Sequence, residues 1–412
     1  MYLLLTTSYK SFMQRFQYYI SFTLLYLIFT FVFLWVLKPR VRFVYNGVYN
    51  EKRHNRIQNF FVAAILIVIS SIRMNTGSDY WSYSLIYNRA LSNYHSIAEV
   101  LADRPSSPGL YVLSYVLKSI SKSLNLDGVL EQNLLFIVVS VFTTVVTLTM
   151  IRKLSKDFKL SIMIYLLMGY YCIANNILKQ QIAMSILLIA YDRCKQQKYV
   201  SYIILCIFAC LFHITAIIPS ILFPIIQRYR AKKSDIYIFI GINLLITALL
   251  PFTMRFFSNI TILGYTKYFE NFSTYSNATV GSTYALGCFI AYAIIFSIMY
   301  RNKDLIFESS KDTYTYIFVL SAGLIFNALA LNFWLLVRVS LYFYQFVIFL
   351  IPNAIVACNP SKNTKRWIYI GLIAFCVFYI LYSWDNHYFA YHTVYEENMV
   401  PAYLDTYISL YE

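Results

Sequence analysis

Asn133-Leu-Leu-Phe-Ile-Val-Val-Ser-Val-Phe-Thr-Thr-Val-Val-Thr-Leu-Thr-Met-Ile151 is nineteen residues without a charge, and Arg152-Lys153 follows at once. A helix of about 20 apolar residues spans the hydrocarbon core of a bilayer, and Lys and Arg collect at its cytoplasmic end. This pairing of an apolar run with a basic gap sets the fold, because it recurs along the chain. Similar runs fall at 18–37, 59–72, 160–175, 181–192, 199–212, 214–227, 236–252, 284–300, 314–332, 339–357 and 367–383. With 133–151 they predict an all-α polytopic membrane protein of about twelve transmembrane or re-entrant helices.

Composition agrees. Of the 412 residues 59% are hydrophobic and 13% charged, and the mean hydropathy is +0.58. A soluble domain carries about 25% charged residues. Disordered, collagenous and soluble-enzyme classes are excluded, and the runs are too long and continuous for the strands of a membrane β-barrel. The first run is followed by Lys38-Pro39-Arg40, with no small-residue cleavage site, so it reads as a helix and not as a signal peptide. The seven cysteines form no CxxC and no Cys/His cluster, which predicts neither a disulfide framework nor a metal site.

The formal net charge is +16. Six short gaps, 38–56, 152–159, 193–198, 228–233, 301–311 and 362–366, hold 23 of the 34 basic residues. The excess lies on one face, the cytoplasmic one by the positive-inside rule, and no nucleic acid is needed to explain it. Both termini then face outward. The long segments 73–132, 253–283 and 384–412 lie outside as well, within a single integral membrane domain covering 1–412. Chain available on the outer face favours a site there. Within 73–132, Pro108 to Ser123 reads as an amphipathic or re-entrant helix started by Pro108 and Gly109.

Two hairpins are short for two crossings. Residues 160–192 return in 33 residues and 199–227 in 29, where two crossings take about 40. The turn of the first, Asn175 to Gln181, is polar; the turn of the second contains Phe212, His213, Ile214 and Thr215. Polar, non-helical backbone at membrane depth is tolerated only beside protein or a water-filled cavity. A recess lined by Lys179, Gln180 and His213 is expected. The plainer alternatives are snorkelling of Lys179 and an interhelical hydrogen bond for His213. Arg73 and Arg338 end the outer halves of two other helices, where a planar guanidinium suits phosphate oxygens. The structural alternative for Arg338 is an ion pair with Asp79. Tyr80, Trp81, Tyr83, Tyr87, Tyr265, Tyr268, Phe269, Trp334, Tyr342 and Tyr344 cluster at outer ends, as an interfacial belt or as stacking platforms for sugar rings.

These residues carry a resemblance. Arg73-x-x-x-Gly77-x-Asp79-Tyr80-x-x-Tyr83, Lys179-Gln180-Gln181-Ile182-Ala183, Phe212-His213-x-Thr215-Ala216 and Arg338-x-x-x-Tyr342-Phe343 with Pro352 beyond occur in that order. They resemble the motifs of EpsG-type, Wzy-like polysaccharide polymerases, over about residues 60 to 357. Two positions depart: Lys179 stands where the family has Arg, and Ser107 where it has an acid. The resemblance implies a bundle like those of C-type glycosyltransferases, in the bacterial cytoplasmic membrane. It implies a polymerase that joins polyprenyl-pyrophosphate-linked oligosaccharide units into O-antigen, capsule or exopolysaccharide. No cofactor and no metal is implied. Partners beyond the lipid-linked substrate and the bilayer would include a chain-length regulator.

Such a reaction needs cations for the leaving pyrophosphate and a base for the attacking hydroxyl. Arg73, Lys179 and Arg338 are the candidate cations. His213, with an unperturbed pKa of about 6.5, or Asp79 is the candidate base. Gln180, Tyr80, Tyr83 and Tyr342 are candidate substrate contacts. Two other classes meet part of the pattern. A lipid-linked oligosaccharide flippase would also be polytopic with buried cations, but the two halves here look unlike. A membrane O-acetyltransferase would need a cytoplasmic base, for which His54 is the sole candidate in the basic gaps.

Overall fold

The computed structural model describes residues 27–31, 44–45, 48–49, 51–74, 76–77, 79–105, 107–228, 245, 279–331, 336–382 and 392–393. Nearly all of these are helical. Two small antiparallel ladders add β1 (Val44–Tyr45) with β2 (Val48–Tyr49) and β3 (Arg73–Met74) with β4 (His392–Thr393). Among the sequence expectations, most of spans 18–37 and 236–252, together with Tyr265, Tyr268, Phe269 and Trp334, lie outside the described residues, as do most of 253–283 and nearly all of 384–412.

Helix α1 (Glu51–Ser71) buries Val62 and Leu66 and packs on α6. Four shorter helices follow: α2 (Tyr80–Asn88), α3 (Ala90–Asn93), α4 (Ile97–Asp103) and α5 (Gly109–Ser123). The start expected of α5 is found, with Pro108 at its N-cap. Proline suits a helix start because its missing N–H falls among donors that have no intrahelical partner anyway. Leu110, Ser114, Leu117 and Ser121 form its buried stripe, spaced as one helix face requires.

The long apolar run becomes α6 (Gly128–Leu154), 27 residues and so about 40 Å from end to end. The next expected span is bent. Helix α7 (Phe158–Leu167) stops at Met168 and Gly169, and α8 (Tyr170–Asn176) leaves at 55°. Gly169 has φ 76°, a left-handed conformation open to glycine at little steric cost. Helix α9 (Leu178–Lys195) begins after one residue, Ile177. From Leu178 to Cys194 every side chain is buried except Lys179, Ile189 and Arg193, so α9 is the axle of the bundle, packed on α6, α10 and α11. One expectation is corrected here. The polar stretch Asn175–Gln181 is almost wholly helical, with its backbone broken only at Ile177.

Helix α10 (Tyr199–Phe212) reverses through His213 and the 3-10 turn Ile214–Ala216 into α11 (Ile217–Arg228). Then come α12 (Thr279–Arg301), α13 (Lys303–Ser309), α14 (Lys311–Ala330), α15 (Leu336–Tyr344), α16 (Val347–Cys358) and α17 (Lys362–Tyr382). At the end of α6 opposite α5, Lys153 pairs with Asp192 and Lys195 with Asp312. Asn353 of α16 accepts from the Lys156 N–H at 2.7 Å and donates to the Leu154 carbonyl at 2.8 Å. These bonds pin the basic end.

By length and composition, three stretches among the described residues can cross a membrane: Gly128–Leu154, Lys311–Ala330 and Leu336–Cys358. Counting the bent pairs α7–α8 and Ala285–Arg301 with α13 raises this to five. That falls short of twelve. Helices α10 and α11 are the clearest reason, because 14 and 12 residues reach only about 21 and 18 Å of a core about 30 Å thick. Their outer surfaces nevertheless expose Ile203, Ile204, Ile207, Phe208, Leu211, Ile221 and Ile225. An apolar face of that extent belongs against lipid or another protein surface. All seven cysteines are free.

Candidate functional site

The polar site is built where α2, the α8–α9 break, the α10–α11 turn and α15 meet. Asp79 is the N-cap of α2, and its Oδ2 lies 3.7 Å from Nη2 of Arg338 on α15. Both side chains are partly open to solvent, at 28% and 39%. The backbone N–H of Asp79 donates to Asn176 Oδ1 at 3.0 Å. Gly77 makes that approach feasible: its φ is 88°, and a Cβ there would stand 2.4 Å from the same oxygen. Gln180, 2% exposed, donates through Nε2 to the Arg338 carbonyl. Residues from three distant parts of the chain thus fix one guanidinium and one carboxylate.

Lys179, in the first turn of α9, sits with Nζ 4.4 Å from the centroid of Tyr111. Arg104 lies over the same ring at 4.9 Å. Among the described residues no carboxylate is within ion-pair distance of Lys179. Tyr83 is buried beside it, with a backbone hydrogen bond from Lys179. Burial, and then the nearby Asp79 charge, push its phenol well above the ordinary range, so it stays protonated.

His213 ends α10. Its Nδ1 is 2.6 Å from Thr215 Oγ1 and 3.1 Å from Tyr342 Oη, with Thr215 donating to Tyr342 at 3.4 Å. Tyr342 is one helical turn past Arg338 on α15, so the cation and the histidine's brace share a helix face. With Nδ1–H donating to the Thr215 hydroxyl, which itself donates to Tyr342, the ring is fixed in the tautomer whose Nε2 is free to accept a proton. Helix α5 starts against this turn. A Cβ on Gly109 would lie 2.9 Å from the Leu211 carbonyl and from the Phe212 ring.

The structure gathers Asp79, Tyr83, Lys179, Gln180, Arg338, His213 and Tyr342. Arg73 lies behind them. At 1% exposure it holds the Ser70 carbonyl at 2.5 Å, Ser70 Oγ at 2.7 Å and Asn175 Oδ1 at 3.2 Å, with its guanidinium 4.8 Å from the Phe136 centroid. Asn175 thus faces Arg73 while its neighbour Asn176 faces Asp79. Tyr80 is buried too, one ring face stacked on Phe136 at 4.8 Å, and Tyr342 is fully enclosed. An interior position replaces the exposed belt or platform expected for both. Tyr344 is likewise interior, stacked on Tyr292.

Sequence reading singled out neither Asn176 nor Tyr111. Asn176 Nδ2 and Gln180 Oε1 are buried and lack a hydrogen-bond partner among the described residues. A pair of adjacent asparagines at a helix break was the available signal. Tyr111 gave none, because its value lies in two cations that arrive from elsewhere. No group of three or more His, Cys, Asp or Glu side chains that could hold a metal occurs among the described residues.

Apolar helices around a cationic, histidine-bearing cluster define a helical membrane protein with a polar site at one end of the bundle. The chain belongs to the EpsG family, whose sequence profile matches residues 56–396, most of its length; these are Wzy-like polysaccharide polymerases, glycosyltransferase-like in general activity. Nothing matched among curated proteins or solved structures.

Proposed function

We propose that this polymerase joins polyprenyl-pyrophosphate-linked oligosaccharide units on the outer face of the bacterial cytoplasmic membrane. The chain would cross about twelve times, counting re-entrant helices, with both termini outside. The observation that carries the reading is the convergence of Arg338, Lys179 and His213 on one polar site from three separate segments.

In this reading the pyrophosphate of the donor lies between the Arg338 guanidinium and the Lys179 ammonium. A hydroxyl of the acceptor sugar gives its proton to His213 Nε2 as its oxygen bonds to the donor's anomeric carbon. The bond from that carbon to the phosphate oxygen breaks, and the two cations take up the charge that develops. Thr215 and Tyr342 hold the imidazole. Asp79 aims Arg338 and Gln180 fixes its backbone. Tyr83 and Asn176 present neutral polar groups beside the pair, suited to sugar hydroxyls. Arg73 positions the Asn175–Asn176 break and does not touch substrate.

The test is polymerisation of lipid-linked units by the purified chain in liposomes. Polymer should appear with no other protein present and vanish in Arg338→Ala. A deletion strain that traps undecorated lipid-linked units inside the cell, with none outside, would instead mark a flippase.

A further inference from the structure

Outside this cluster a groove of about 880 Å³ runs along the exposed apolar side of α10 and α11. Its walls are apolar, with Ile207, Cys210, Leu211, Ile214 and Ile217 in the middle. The polar groups that reach it are mutually satisfied: Tyr202 Oη donates to the Ser220 carbonyl, and Ser220 Oγ donates to the Ala216 carbonyl at 2.7 Å. Such a lining offers no bond to a sugar or a peptide and suits a hydrocarbon.

The groove's charge is confined to one end, where Arg104 and Asp103 line it as an ion pair of 2.9 Å. From Arg104 two ring contacts lead to the polar site, since Arg104 and Lys179 both lie over Tyr111. The groove also adjoins the histidine directly. Ile214 lines it and belongs to the same 3-10 turn as Thr215, which bonds His213. From Tyr202 to Leu211 it follows about 14 Å of helix, room for several isoprene units.

We propose that this groove binds the isoprenoid chain of the lipid-linked substrate, with the phosphates turned toward the Arg104–Tyr111–Lys179 row. The proposal rests on the polymerase reading and adds the tail subsite to it. A phospholipid acyl chain would fill the same volume. The isoprenoid is favoured because the groove adjoins the candidate reaction centre, through the Arg104–Tyr111–Lys179 contacts and the Ile214–Thr215 turn, where the head group of a substrate, and not that of a bulk lipid, has to lie.

The test uses the full chain in nanodiscs with a polyprenyl phosphate carrying a benzophenone at its tail end. Irradiation should label peptides of α10 and α11. A tenfold excess of unlabelled polyprenyl phosphate should remove most of the label, and the same excess of phosphatidylglycerol should not. Ile207→Trp, which fills the groove far from His213, should cut labelling several-fold. Label elsewhere, or equal competition by phosphatidylglycerol, overturns the proposal in the wild-type chain and needs no variant to fold. Polymerisation measured on the same preparation separates the two readings. Groove labelling without polymer overturns the polymerase and keeps the groove; polymer without groove labelling does the reverse.

Discussion

Asp79 and Arg338 face each other across 3.7 Å, from opposite halves of the chain. That separation is wider than an N–H···O hydrogen bond, which closes at about 2.7–3.2 Å. In the proposed reaction a phosphate oxygen would compete with the carboxylate for the guanidinium, and this longer contact is the weaker one to displace.

Arg338→Ala should lower polymerisation about 100-fold or more, the scale of losing one donor to a developing anion. Lys at 338 should rescue little, since an ammonium lacks the planar fork. The measurement is polymer formed per unit of protein in the membrane. Activity of Arg338→Ala near the wild-type level would reject the assignment.

Arg73→Ala should behave differently. Removing a fully enclosed guanidinium takes a donor from the Ser70 carbonyl and from Asn175, leaves Ser70 Oγ its bonds to Asn175 and Ser140, and empties space beside Phe136, so the protein should accumulate poorly or melt earlier. Leaving a buried group unpaired costs about 1–3 kcal/mol. Immunoblots of membrane fractions beside a melting curve would show it; normal accumulation and melting with activity lost would return Arg73 to the substrate.

His213→Gln keeps a hydrogen-bonding group but cannot take a proton. It should reduce the rate about 10²–10⁴-fold with accumulation and donor binding retained. Tyr342→Phe removes one brace and should cost about tenfold or less. Wild-type turnover by His213→Gln would eliminate His213 as the base, and loss of the protein from the membrane would make it a purely structural residue.

Gly77→Ala should be worse than its size suggests. It meets both a left-handed backbone and an oxygen at 2.4 Å, so the loop that carries Asp79 has to move. Asn176→Ala deletes the acceptor of the Asp79 N–H without a clash. Both should lose activity, and Gly77→Ala should lose stability as well, by about 1 kcal/mol or more in thermal unfolding. Full activity in both variants would show that the Asp79 position is set elsewhere.

Sidedness is tested by thiol labelling in intact cells, on a background with the seven native cysteines replaced. A membrane-impermeant maleimide should label Lys122→Cys and spare Lys195→Cys. The reverse pattern inverts the topology.

Local pattern alone determined a good deal. The apolar run at 133–151 is one long helix because nineteen uncharged residues have nowhere to place a turn. Pro108 and Gly109 start α5 because a proline fits a helix start, where its missing N–H costs nothing. The basic residues ending α6 and α9 mark one end of the bundle, since charge cannot stay in hydrocarbon. The short reach of α10 and α11 was legible from residue counts, as was the placement of His213 at their turn.

Tertiary structure decided which polar residues meet. Arg73 and Arg338 look equivalent in sequence, each ending an apolar run near an outer loop. One is enclosed by Ser70, Asn175 and Phe136, while the other opens toward Asp79, and that difference comes from helices packed around them. The stretch Asn175–Gln181 reads as an irregular turn because it is polar. It is nearly all helix because Arg73, Asp79 and Arg338, from segments far away in the chain, supply the partners those side chains need. Periodicity and charge report on neighbours within a turn or two of helix. The ion pair, the ring shared by Lys179 and Arg104, and the Asn176 bond are long-range contacts, and they exist only once the bundle has closed.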